Sequence, residues 1–150
     1  MNQIHIEQSA VIAAAPAQLY AVIRDYEVGH LAILPKPYFQ EMIVEEGGQG
    51  AGTKTRLKMK IMGQEFNFRH EVSEPEPGRI LKETDRDTGL ATTFTFEPLA
   101  GGTQTRLTIT TDTPVRPGLA GFLERFMSPL ILRRIYRQEL QNLADYVRQR

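Results

Sequence analysis

The chain begins with alternating apolar and polar residues and then changes to helical spacing. The alternation over residues 4–13 favours a strand whose apolar face carries Ile4, Ile6, Ala10 and Ile12. Pro16 follows, and proline suits the first turn of a helix because its missing N–H has no partner there in any case. The sequence therefore predicts a strand that passes directly into a helix.

Two short helices are predicted before the rest of the sheet. The first has an apolar face at helical spacing, formed by Leu19, Val22, Ile23 and Tyr26. The second covers residues 28–34, is too short to be stable alone and ends at Pro35 and Pro37. Both helices need a surface to pack against, and we expect them to close one end of a sheet.

A period of two returns between residues 38 and 112. The segments TRLKMKIM and EFNFRHEV each place apolar and polar side chains on opposite faces, as expected for strands with one buried and one exposed side. Short segments rich in glycine, proline and aspartate separate the runs, which implies antiparallel neighbours. Together with the first strand, the sequence predicts seven strands, the last six at 38–47, 52–62, 65–75, 79–86, 90–98 and 102–112.

The last segment, from residue 116 onward, is helical, but its apolar face changes direction. The change falls near Ser128 and Pro129, where either a new helix begins or a proline bends a continuous one. Leu130, Ile131 and Leu132 then make this turn apolar on nearly every side. Such a turn needs contacts with the sheet on one side and with more protein or a ligand on the other.

Composition limits the function more than it defines it. A chain of 150 residues fits one domain, residues 1–150, and its 18 basic and 18 acidic residues cancel. This balance argues against nucleic acid as a partner. The chain has no cysteine, no signal-peptide pattern at its start and no apolar run long enough for an integral membrane segment. We therefore expect a soluble cytoplasmic protein.

The sequence carries no motif for a metal, a phosphate or a serine nucleophile. Its three histidines, His5, His30 and His70, lack the close spacing of zinc ligands. The glycines of GGQGAG form neither a Walker motif nor GxGxxG before a helix, and no serine lies in GxSxG. We expect no metal and no cofactor.

His70 is the candidate for chemistry because it shares a strand face with Phe66, Phe68 and Val72. An imidazole there would donate to a ligand or exchange a proton near neutral pH, although a structural hydrogen bond is the commoner role of a buried histidine. We expect His30 and His5 to be exposed.

Charged residues on the predicted strand 79–86 and on the last helix each allow two interpretations. In KETDRD, one strand parity places Glu83 inside as a general base, and the other, which we favour, makes this an exposed edge. The parity of Thr92 is also open. Arg133, Arg134 and Arg137 fit either a solvated helix face or a contact with an acidic group.

The order of these elements resembles the START-like (SRPBCC) helix-grip superfamily, in its polyketide cyclase/dehydrase-like branch. The resemblance covers essentially the whole chain and depends on AAPAQLYAVIRDYE, GGQGAGTKTRLKM, SEPEPGRILKETD, TFTFEPLAGGTQTRLTIT and ERFMSPLILRRIYRQELQNLADYV. It implies an α+β fold in which a curved seven-stranded antiparallel sheet surrounds a long C-terminal helix, with two short helices after the first strand. Relatives commonly have an aromatic residue and a proline where this chain has Gly29 and His30.

Three functions are compatible with this resemblance. The first is binding of a hydrophobic or aromatic small molecule, lipid or polyketide-like, between sheet and helix. The second is a cyclase, aromatase or dehydratase using the same pocket, with no catalytic residue assigned beyond the candidate His70, assisted by Glu83 or Thr92. The third is a quinone-binding accessory or interaction subunit, including a homodimer, that docks through its arginines. The predicted ligand-binding residues are Met59, Phe68, His70, Phe94, Phe122, Phe126 and Leu130.

Overall fold

The computed structural model describes residues 4–113 and 129–149, with the side chains of Ile4 and Thr113 outside the described part. Its elements in chain order are β1 (Ile4–Ile12), α1 (Pro16–Arg24), α2 (Gly29–Ile33), β2 (Phe39–Glu46), β3 (Lys54–Ile61), β4 (Gln64–Glu76), β5 (Ile80–Asp85), β6 (Ala91–Leu99), a 3₁₀ turn (Ala100–Gly102), β7 (Gln104–Thr113) and α3 (Pro129–Arg148). The predicted strands agree with these bounds to within two residues, and the predicted helix-grip fold is confirmed.

The described strands form one antiparallel sheet in the order β1-β7-β6-β5-β4-β3-β2. Consecutive strands from β2 to β7 are therefore neighbours, and β1 pairs with β7 to place the chain's first strand at an edge. Tight turns make this possible: β3 and β4 are joined by Met62 and Gly63 alone, both at positive φ. That geometry matches the twist of an antiparallel pair.

The alternation in β3 and β4 predicts the buried face correctly. Leu57, Met59 and Ile61 are buried on β3, and Phe66, Phe68, His70 and Val72 are buried on β4. The intervening Asn67, Arg69 and Glu71 of β4 are exposed. The inner face of β3 and β4 is thus mainly apolar, and it carries one histidine.

The three α-helices of the described residues pack together on the inner side of the sheet. α3 lies along β1 and also contacts α1 and α2. Its apolar face includes Ile135, Leu140 and Leu143, all buried. Asn142 donates from its Nδ2 to the backbone oxygen of Ile33, 3.0 Å away, and so attaches α3 to the end of α2.

The connection between α1 and α2 depends on close backbone contacts. Pro16 is the first helical residue of α1, as predicted, and Ala15 before it is extended. A Cβ atom on Gly29 would lie 2.8 Å from the backbone oxygen of Val22, so only glycine allows α2 to approach α1 this closely. This contact fixes the residue that follows, His30, at the inner side of the fold. The proposed helix start at Ser128 lies outside the described residues.

Candidate functional site

A cavity lies between the inner face of the central strands, α2 and α3. Its empty volume, including the space at its open mouth, is about 590 Å³. The described residues that line it are His30, Leu34, Phe39, Met42, Thr55, Leu57, Met59, Phe68, His70, Glu83, Leu90, Thr92, Phe94, Leu132, Tyr136 and Glu139. Most of this lining is apolar, and the polar members are concentrated on β4, β5, β6, α2 and α3.

One polar group joins the α1–α2 segment to β5. The phenol of Tyr26 donates to Oε2 of Glu83 over 2.6 Å, and Nε2 of His30 lies 3.4 Å from the same oxygen. The rings of Tyr26 and His30 stack with centroids 4.4 Å apart. Both side chains therefore hold one carboxylate oxygen from the same side.

The tautomer of His30 follows from its second contact. Its Nδ1 lies 2.7 Å from the backbone oxygen of Ile23, which can only accept, so Nδ1 carries a proton. A second proton would have to lie between Nε2 and Glu83. Nε2 of His30 and the carboxyl group of Glu83 therefore face each other at the cavity wall.

His70 lies next to this group on β4 and is stacked on Phe68 with ring centroids 5.6 Å apart. Its Nε2 is buried and has no hydrogen-bond partner among the described residues. Burial lowers the pKa of His70, although the charges of Glu83 and Asp85 oppose this shift. The ring is therefore neutral at pH 7, and Nε2 is available to a ligand.

Glu139 contributes a second buried carboxyl group from α3 and is only 4% exposed. Burial, and then the negative charge of Glu83, raise its pKa from 4.5 to about 8. Glu139 is consequently protonated through most of the neutral range, and a protonated carboxyl can donate a hydrogen bond.

The wall between β6, β7 and α3 carries three hydroxyl groups in a row. Oγ1 of Thr92 lies 3.0 Å from Oγ1 of Thr111, which is in turn hydrogen-bonded to the phenol of Tyr136. Burial raises the pKa of Tyr136 to about 12, although its bonds to the two threonines act in the opposite direction. This phenol is therefore a neutral hydrogen-bonding group at physiological pH.

The predicted ligand-binding residues divide into three groups. Met59, Phe68, His70 and Phe94 line the cavity. Phe122 and Phe126 lie outside the described residues. Leu130 is 78% exposed in the first turn of α3 and does not line the cavity, so its placement at the site is wrong. Leu132, two positions further and thus on the other side of the helix, occupies the lining instead.

Two polar residues expected at the surface are buried in the cavity wall. His30 is 3% exposed and Glu83 is 7% exposed. Glu83 faces inward because Leu81, two residues earlier on β5, is in the core, and because its cross-strand neighbours Val72 and Thr92 also face inward. The open parity of Thr92 is resolved in the same way: it is buried and lines the cavity.

Other charged residues have the surroundings that the sequence predicts, or a structural role. The side chains of Arg133, Arg134 and Arg137 are exposed, and so is that of His5. Asp85 is buried, but its carboxylate accepts from the backbone N–H of Arg69 and from the N–H and hydroxyl of Thr88. It shapes the β5–β6 turn and is not free for a ligand.

Sequence reasoning missed Tyr26, Tyr136 and Glu139 as site residues. Tyr26 is predicted only as a member of an apolar helix face. Glu139 falls within the stripe formed by Leu132, Tyr136 and Leu143 on the last helix, and a carboxyl in an apolar stripe is the signal that could have identified it.

Two further searches of residues 4–113 and 129–149 found nothing. No cluster of three histidine, aspartate or glutamate side chains is arranged to hold a metal ion. No helix there is both long and apolar enough to cross a membrane.

A seven-stranded antiparallel sheet covered by a terminal helix, with an apolar cavity between them, defines a helix-grip protein. The family model described as polyketide cyclase/dehydrase and lipid transport matches residues 3–148. The chain therefore belongs to this family, and the predicted resemblance is confirmed. The comparison with curated proteins found no match.

Solved structures agree with this assignment. The KanY protein, studied by NMR, is 30% identical with a TM-score of 0.82, and 99% of each chain is covered. The Zhui aromatase/cyclase from Streptomyces sp. R1128 is 20% identical with a TM-score of 0.73, covering 99% of this chain and 96% of that one. A point mutant of norcoclaurine synthase from Thalictrum flavum, bound to a transition-state analogue, is 15% identical with a TM-score of 0.74 and the same coverage. The last two likenesses show the fold alone.

Proposed function

We propose that this chain binds an apolar or aromatic small molecule, lipid or polyketide-like, in the cavity between the sheet and α3. The observation that carries the proposal is the cavity itself, which lies between the sheet, α2 and α3 and has a mainly apolar lining. Ligand sites typically combine such a lining with a few polar groups that orient the ligand. Nε2 of His70 is one such group, because it is buried without a partner among the described residues.

Two neighbouring leucines on α3 offer a matched test of this proposal. Leu132 is buried and lines the cavity, whereas Leu130 is exposed. We expect Leu132→Trp to fill the cavity and weaken binding of the neutral fluorescent probe N-phenyl-1-naphthylamine at least tenfold. Leu130→Trp adds the same ring outside the cavity and should leave binding unchanged. Circular dichroism of both variants verifies that they are folded, and equal probe binding by folded variants would contradict the proposal.

Native mass spectrometry addresses the identity of the ligand. The purified protein is compared with a denatured sample and with an organic extract. A mass retained only under native conditions and recovered in the extract supports the proposal and gives the chemical class of the compound.

A second candidate function is favoured by the pairing of unlike acid–base groups in one cavity. Glu139 is protonated at neutral pH, whereas His70 is a neutral imidazole with a free nitrogen. When the surroundings keep one group protonated and leave another able to take up a proton, the two can act as acid and base on one ligand. In a dehydration, His70 would take a proton from the carbon next to a carbonyl and Glu139 would protonate the departing hydroxyl, releasing water.

This enzyme hypothesis predicts a loss of turnover on a cyclisable polyketide-like substrate. His70→Ala and Glu139→Gln should each reduce kcat by about 10²-fold or more, the usual contribution of a positioned acid or base. His5→Ala, which changes an exposed histidine, is the control. Turnover that is unchanged in His70→Ala would remove His70 from the mechanism.

A further inference from the structure

The cavity lining contains two acidic side chains. Glu83 on β5 and Glu139 on α3 both line it, and both are buried. No lysine or arginine is among the described residues of the lining. The negative charge of Glu83 already acts on Glu139, since it contributes to the raised pKa of that carboxyl group.

The histidines do not supply the missing positive charge. Burial lowers the pKa of His70, so its ring is neutral at pH 7. Nε2 of His30 lies 3.4 Å from Oε2 of Glu83, so a positive charge on this imidazole would be balanced by that carboxylate and not by a ligand. The phenols of Tyr26 and Tyr136 are neutral as well, because burial raises the pKa of both. A ligand anion would thus lose its hydration without gaining a counter-ion.

We propose that the cavity selects its ligand by charge: it takes an apolar molecule whose polar end is neutral, such as a ketone, phenol or amide, and excludes the same skeleton ending in a carboxylate. This inference rests on the proposed function, because it requires that a ligand enters the cavity. A neutral oxygen or N–H group of the ligand can form a hydrogen bond with Nε2 of His70 or with the carboxyl group of Glu139. A ligand carboxylate would instead be repelled by the negative charge of Glu83.

An isosteric pair of ligands separates charge from shape. 2-Naphthamide and 2-naphthoate have the same skeleton and nearly the same size, but only the second is charged at pH 7. Isothermal titration calorimetry at pH 7 should show the amide binding at least tenfold more tightly than the acid. Glu83→Gln should narrow this ratio several-fold, whereas Glu71→Gln, which changes an exposed residue of β4, should leave it unchanged.

A second measurement does not depend on the folding of Glu83→Gln. Glu139 loses its proton between pH 7 and pH 9, since its pKa is about 8. The amide-to-acid ratio of the wild-type protein should therefore widen over this range, while that of Glu139→Gln should not. Neither naphthalene derivative titrates in this range, and comparison of the two proteins at each pH isolates the contribution of Glu139.

The outcomes are distinct. Equal binding of amide and acid by the wild-type protein overturns the inference but leaves ligand binding intact. The inference is also overturned if the ratio of amide affinity to acid affinity is the same in Glu83→Gln as in the wild-type protein and changes with pH equally in Glu139→Gln and the wild-type protein. If neither compound binds and naphthalene does not bind either, the proposed function fails and the inference falls with it.

Discussion

Replacing Glu139 by glutamine should stabilise the protein at neutral pH, although it changes a buried residue. Burial and the charge of Glu83 raise the pKa of Glu139 from 4.5 to about 8. Between these two values the unfolded chain has released the proton and the folded chain has kept it. Stability therefore falls as the pH rises through this range, because the folded state binds more protons than the unfolded state.

The size of the effect follows from the same values. From pH 4.5 to pH 7 the two states differ over about 2.5 pH units, and each unit is worth about 1.4 kcal/mol. The wild-type protein thus loses about 3 kcal/mol at pH 7 through Glu139 alone. Glutamine has the shape of the protonated acid but never ionises, so Glu139→Gln avoids this loss.

Urea unfolding followed by circular dichroism at pH 5, pH 7 and pH 8.5 tests this reasoning. The free energy of unfolding of Glu139→Gln relative to wild type should increase by about 2 to 3 kcal/mol between pH 5 and pH 7. All other titrating groups cancel in this difference. Glu71→Gln, on the exposed face of β4, should differ from wild type by less than about 0.5 kcal/mol at each pH. A difference for Glu139→Gln that is independent of pH would refute the argument.

Three other perturbations test separate parts of the structure. Tyr26→Phe removes the 2.6 Å hydrogen bond to the buried Glu83 and should lower the free energy of unfolding in urea by about 2 kcal/mol, since a charged acceptor loses its donor. Asp112→Asn should lower the pKa of His5 towards 6.5 in an NMR titration, because the hydrogen bond that His5 donates to the Asp112 carboxylate is the main cause that raises it. Gly50→Ala should lower the free energy of unfolding by about 2 kcal/mol, because φ is +60° and the new Cβ would collide with neighbouring side chains.

Each of these predictions has a matched control. Tyr38→Phe changes a half-buried tyrosine outside the Glu83 group and should have little effect. Glu7 also raises the pKa of His5, and Glu7→Gln should lower that pKa by less than Asp112→Asn does. Gly78 has φ of +87° but open space around its Cβ position, so Gly78→Ala should cost only about 1 kcal/mol of backbone strain. Equal losses for the two glycine variants, or an unchanged His5 pKa in Asp112→Asn, would contradict the respective contacts.

Sequence patterning predicts the fold well because most strands carry an unambiguous alternation. On β4 the sequence Phe66, Phe68, His70 and Val72 assigns the inner face without any tertiary information, and the structure confirms it. β5 begins with two adjacent apolar residues, Ile80 and Leu81, and continues with polar residues only, so its sequence does not show which face is buried and the parity is decided by the neighbours in the sheet. The inward direction of Glu83 is fixed by the burial of Leu81 and by the pairing of Glu83 with Val72. Both depend on the register between the strands.

The candidate site is harder to predict because its polar residues come from distant parts of the chain. Tyr26 and Glu83 are 57 positions apart, and no local pattern connects them. His30 was expected to be exposed because the predicted second helix, residues 28–34, is too short to be stable alone. Its burial follows from the close approach of Gly29 to Val22 and from the bond of its ring to Ile23, neither of which is a sequence pattern.

These contacts give the two short helices a role beyond covering the end of the sheet. A carboxylate inside an apolar cavity is unstable unless donors reach it. The segment through α1 and α2 supplies both of the neighbours that Glu83 has there, the phenol of Tyr26 and the imidazole of His30. Without this segment Glu83 would lack both of these neighbours, and with it the α2 end of the cavity carries a hydrogen-bonded carboxyl group. Part of the polarity of the cavity wall is therefore built by helices that precede most of the sheet in the chain.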